Sequence, residues 1–146
     1  MRPLESLSAG IAVETTHAVG SREIELFADA TGDHNPVHLD EAFASRTQFG
    51  GRIAHGMLTA GFVSAAIASE LPGPGSIYLG QTLRFTRPVR LGDTVTVRLE
   101  VIDVNVEKRR VRLATVCRNQ HGETVMDGEA TVLVPVERPP PGGSEM

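Results

Sequence analysis

Residues 55–73 read HGMLTAGFVSAAIASELPG. From Gly56 to Ser69 no charged side chain appears, and small residues (Gly, Ala, Ser) crowd between Leu58, Phe62, Val63 and Ile67. A helix apolar nearly all round is buried on most faces, and its small residues let another backbone approach closely. The Pro72-Gly73 pair ends it. Four β-rich runs follow: SIYLGQTLRFTRPV (76–89), DTVTVRLEVIDVNV (93–106), RRVRLATVCRNQ (109–120) and ETVMDGEATVLVPV (123–136). Turn signals at Leu91-Gly92-Asp93, Glu107-Lys108 and His121-Gly122 separate them, and TVTVRLEV alternates as a half-buried antiparallel strand does.

Upstream of the long helix, GIAVETTHAV (10–19) alternates well enough for a first strand. SREIELFADATG (21–32) carries a helical signature, with Ser21 as N-cap, apolar Ile24, Phe27 and Ala28, and Gly32 as a stop. LDEAFASRT (39–47) predicts a second short helix capped by Asp40. The order is strand, short helices, one long buried helix, then four consecutive antiparallel strands. This is an α+β plan in which a five-stranded sheet wraps its only long helix. Such a sheet leaves long edges, and edge-to-edge dimerisation protects them; a homodimer is the expectation.

The 146 residues suit one domain with a core that folds without staples. We place it at residues 1–136, with the Pro/Gly-rich ERPPPGGSEM (137–146) as a frayed tail. Hydrophobic residues make up 40% and charged residues 22%, an ordinary globular composition. A net charge of −4 denies nucleic acid or an anionic membrane a broad basic surface. No stretch approaches the roughly 20 apolar residues that span a bilayer, and the N-terminus lacks the apolar core of a secretory signal. The single cysteine, Cys117, lies in an apolar run and reads as a buried, inert thiol. These features fit a reducing cytoplasm.

Residues 32–38, GDHNPVH, crowd an acid, two histidines and an amide around a proline. A metal site would need His34 and His38 on one helix face, and Pro36 argues against a helix there, because it bars Asn35 from helical geometry. The segment is expected to be bent and non-helical. Across that bend Asp33 and His38 can meet: a carboxylate takes a proton from water, and an imidazole orients that water or relays a proton near neutral pH. The plainer reading is an Asx-turn in which Asp33 and Asn35 bond their own backbone. In RIAHGM (52–57), a helix starting near His55-Gly56 points free N–H groups and its dipole at whatever lies beyond, where they stabilise a developing oxyanion. Gly56 leaves room for a ligand there, or simply lets the helix pack tightly.

FADATGDHNPVHLDEAFA (27–44), GGRIAHGMLTAGFVSAAIA (50–68), GSIYLGQTLRFTRPVRLGDTV (75–95) and GEATVLV (128–134) together resemble the MaoC-like hydratases, and among them the short (R)-specific enoyl-CoA hydratases. The resemblance covers roughly residues 10–135, and the Gly-Asp-x-Asn-Pro-x-His element followed by the His-Gly-Met helix start is its specific part. It implies a hot-dog fold, a dimer or higher oligomer, and acyl-CoA or acyl-carrier-protein thioesters bound along the central helix. In such enzymes the residues matching Asp33 and His38 activate a water that adds to C3 of a trans-2-enoyl thioester. The backbone N–H matching Gly56 polarises the thioester carbonyl. Asn35 and Ser64 match supporting positions, with Ser64 near the aspartate. His55, Met57, Arg84 and Arg87 are candidates for contacting substrate, the two arginines for holding CoA phosphates. Neither a metal nor a redox cofactor is implied. Phe27 stands where many relatives carry tyrosine, and FGGR (49–52) has one extra glycine; both bear on the acyl tunnel.

Three other activities share this plan. A hydroxyacyl-ACP dehydratase differs only in its carrier. A hot-dog thioesterase often places a carboxylate within the central helix, whereas here none occurs before Glu70. A non-catalytic acyl-binding subunit has no need of both Asp33 and His38.

Overall fold

A computed structural model describes residues 1–138, 140 and 141; most of the expected tail, residues 139 and 142–146, lies outside the described residues. The chain forms β1 (Ala12–Ala18), α1 (Ser21–Thr31), α2 (Pro36–Leu39), α3 (Glu41–Ala44), α4 (Gly56–Ser69), β2 (Ile77–Phe85), β3 (Thr94–Asn105), β4 (Arg110–Arg118) and β5 (Thr124–Leu133). The strands make one antiparallel sheet in the order β1-β3-β4-β5-β2, with α4 as its central helix, and the expected α+β hot-dog plan is observed.

The alternation in β3 is realised residue by residue. Val95, Val97, Leu99 and Val101 are sealed inside, while Arg98 and Glu100 pair with each other on the other face. On β4 the same alternation buries Val111, Leu113, Thr115 and Cys117. Burial pushes the Cys117 thiol up to about 12, well above the range in which it reacts. Arg112, on the outward face, bridges Asp103 and Glu129 across three strands.

Several local expectations change. β2 does not pair with β3, its neighbour in sequence. It joins the far side of β5, so β1 and β2 form the two edges. The connection 86–93 therefore passes the start of α4, where Ala54 N–H donates to Val89 O at 2.7 Å. The N-cap of α1 is Gly20 rather than Ser21, and the Gly20 N–H donates to Glu23 Oε1 at 2.8 Å. The helix ends as expected at Gly32, whose φ of +82° is the left-handed conformation glycine adopts without strain. α4 stops at Ser69, before Pro72-Gly73. It buries only the stripe Thr59, Ala60, Val63, Ala66 and Ile67 against the sheet. Met57, Gly61, Ser64, Ala65 and Ala68 form an exposed face, so the helix is not covered on most sides within one chain. Among the described residues no helix is long and apolar enough to cross a membrane.

Candidate active site

GDHNPVH is not the non-helical bend expected of it. Pro36 occupies the first position of the one-turn helix α2, where its missing N–H costs nothing and its fixed φ suits the helix. Asn35, kept extended by the proline as expected, serves as N-cap, its Oδ1 accepting the Val37 N–H at 3.2 Å. Asp33 Oδ1 accepts the Asn35 N–H at 3.3 Å. The Asx-turn thus exists and uses one carboxylate oxygen. His34 points away, 3.4 Å from Asp29 on the surface.

α2 carries His38 inward to 9% exposure. Its Nδ1 lies 2.8 Å from Ile53 O. A carbonyl only accepts, so Nδ1 bears the proton and Nε2 is the free, basic nitrogen. Burial is the main cause holding the His38 pKa below its ordinary 6.5; the Ile53 contact and Asp33 work against it, and His55 adds to it. The shift favours the neutral ring. Arg52 fixes the helix from behind, its Nε donating to His38 O at 2.7 Å and its backbone N–H to Glu41 Oε2 at 3.3 Å.

His55 is 2% exposed and lies face to face with His38, ring centres 3.9 Å apart and planes tilted by 31°. Its Nε2 is 3.0 Å from Asp33 O. Gly56 opens α4, so its N–H has no partner within the helix. A Cβ there would meet the Phe85 ring at 2.7 Å, so glycine is what allows strand β2 this close.

Asp33, His38, His55, Gly56 and Met57 border one cavity of about 440 Å³ with mainly apolar walls. Phe49, Ile53, Val89 and Val125 supply much of that wall, together with Thr59 and Phe85. These linings lacked any sequence signal, since they are ordinary core-type residues brought together by the sheet crossing. The Thr59 hydroxyl is buried there without a partner. Of the other sequence candidates, Arg87 borders the cavity, whereas Arg84 pairs with Asp127 at 3.2 Å and does not. Ser64 lies on the exposed face of α4, outside the lining.

Asp33, His38 and His55 offer ligand atoms within 4.8 Å of one another. The His38 and His55 rings, tilted by 31°, each turn one nitrogen to a main-chain carbonyl, Ile53 O and Asp33 O, rather than to a common point. A carboxylate and a neutral imidazole placed this close can hold a water between them.

The whole chain resembles proteins of known activity. The chain is 50% identical over 131 residues to a 3-hydroxybutyryl-CoA dehydratase of Methylorubrum extorquens, covering 90% of this chain and 83% of the relative. It is 45% identical to an (R)-specific enoyl-CoA hydratase of Rhodospirillum rubrum, covering 90% of each. The unliganded R-hydratase PhaJ1 of Pseudomonas aeruginosa superposes with a TM-score of 0.86 at 52% identity, covering 95% of this chain and 94% of that one. Residues 5–124 match the MaoC like domain, and the chain belongs to that family.

Proposed function

We propose that the protein adds water to trans-2-enoyl-CoA to give (R)-3-hydroxyacyl-CoA, and runs the reverse dehydration. One observation carries this: Asp33, His38 and the Gly56 end of α4 border a single cavity. Water held between the Asp33 carboxylate and His38 Nε2 gives a proton to the site as its oxygen bonds to C3. Charge then moves onto the thioester oxygen, where the Gly56 N–H and the N-terminal end of the α4 dipole stabilise it. Delivery of the held proton to C2 completes the addition, and the same steps reversed expel water. Asn35 keeps the turn that aims Asp33. The chemistry asks only for proton transfers and an oxyanion hole.

CoA as the carrier is supported by the two relatives named for CoA thioesters and by Arg87. That residue borders both the main cavity and a second, polar one of about 300 Å³ that Arg90 also lines. Arg84 has no such support, and Ser64 lies on the exposed face of α4, outside the cavity lining. A homodimer that covers this face is part of the proposal. Cytoplasmic residence is in keeping with one buried, unpaired cysteine.

The test is hydration of crotonyl-CoA followed by absorbance, with chiral analysis of the product. Wild type is expected to give the (R) alcohol. Asp33→Asn and His38→Ala each lower turnover by about 100-fold or more while keeping the fold. Release of free CoA, or near-normal turnover in either variant, contradicts the assignment.

A further inference from the structure

His55 was placed among the residues that contact substrate, yet its ring has no proton left to donate to a substrate carbonyl. Nε2 faces the Asp33 carbonyl, an acceptor, so it bears the ring proton and spends it inside the protein. Nδ1 is left as a bare acceptor, buried and without a partner among the described residues. His55 is the N-cap of α4 but makes no side-chain cap bond. Its ring turns back instead and lies between the tilted face of Phe27, 4.6 Å away, and that of His38 at 3.9 Å.

What the ring does is join two parts of the site that are distant in sequence. The other backbone contacts near Asp33 are local: its N–H donates to Thr31 Oγ1 at 3.2 Å, and His34 N–H to Gly32 O at 3.1 Å. The His55 contact spans 22 positions. It ties the turn carrying the carboxylate to the residue immediately before Gly56, whose N–H forms the oxyanion hole. The same ring packs against His38.

We infer that His55 is a positioning residue, which sets the spacing between the Asp33–His38 pair and the Gly56 oxyanion hole through its hydrogen bond to the Asp33 carbonyl. The inference rests on the hydratase reading above. A displacement of about 1 Å between reacting groups costs on the order of 100-fold in rate. The loss is expected in kcat, because the apolar walls formed by Phe49, Ile53, Val89 and Val125 are untouched.

Three variants, His55→Leu, His55→Gln and His55→Asn, test this with crotonyl-CoA. Glutamine places an amide N–H donor where Nε2 stands; asparagine is polar but too short to reach; leucine cannot donate. Leucine and asparagine are expected to lower kcat about 100-fold with KM within about threefold, and glutamine to hold kcat within about tenfold of wild type. Should leucine fail to fold, as a thermal melt would show, the glutamine–asparagine contrast decides. Equal losses in glutamine and asparagine, or a loss confined to KM, overturn the positioning role while wild-type hydration stands. A wild type that does not hydrate crotonyl-CoA overturns the hydratase reading and the role of His55 with it.

Discussion

At Gly56 the proposed oxyanion donor can be separated from the space around it. His55 already has the extended backbone (φ −60°, ψ 133°) that a following proline demands, and proline is tolerated at the first position of a helix. Gly56→Pro therefore removes the N–H while suiting the helix, at the cost of a Cβ against the Phe85 ring. Gly56→Ala introduces the same Cβ and keeps the N–H. We expect the proline variant to lose at least about 100-fold more turnover than the alanine variant, the range found when one oxyanion donor is removed; equal kcat values would deny the N–H its role. The positions of Asp33, His38 and Gly56 on one cavity were legible because their motifs are local. Pro36 was misread since its helix-breaking effect depends on which helical position it takes. The tie from His55 to the Asp33 turn was not legible, because its partner there is a main-chain carbonyl and leaves no mark in the pattern of side chains.

Among the elements, the strands were the most legible. Period-two burial in β3 and β4 follows directly from their alternation of apolar and polar residues. The neighbour of β2 was not, because pairing across a sheet is set by long-range fit. Gly128 on β5 shows what that fit requires. It stands opposite Leu83, and a Cβ on it would fall 1.9 Å from Thr82 O, a main-chain atom that cannot swing aside. Gly128→Ala must push β2 away from β5. We expect a loss of about 1–3 kcal/mol, the usual cost of overpacking, seen as a lower urea midpoint with an unchanged slope. An unaltered midpoint would mean that the two strands slide freely. Because Phe85 ends β2 and lines the cavity, the variant should also raise KM for crotonyl-CoA.

For the molecule as a whole, two features support the proposed dimer. β2 is an edge strand with Ile77, Leu79 and Phe85 exposed, and the outward face of α4 is small and apolar. Bare edges and apolar patches of this kind are normally covered. The helix composition announced burial on most faces, and one chain supplies only part of it; the proposed second copy would supply the rest. Sedimentation equilibrium is expected to report twice the 15.6 kDa chain mass or a multiple of it, and Leu79→Arg to shift the population toward single chains. A wild type that sediments as one chain would remove the dimer.

The sealed Cys117 adds a consequence of another kind. It is the chain's one thiol, has no exposure to solvent, and sits near the end of the interior strand β4, opposite Val97 on β3 and Met126 on β5. No thiol reagent can reach it without parting the central strands. Its alkylation rate is therefore a clock for the opening of the sheet, readable without any label and independent of the catalytic site.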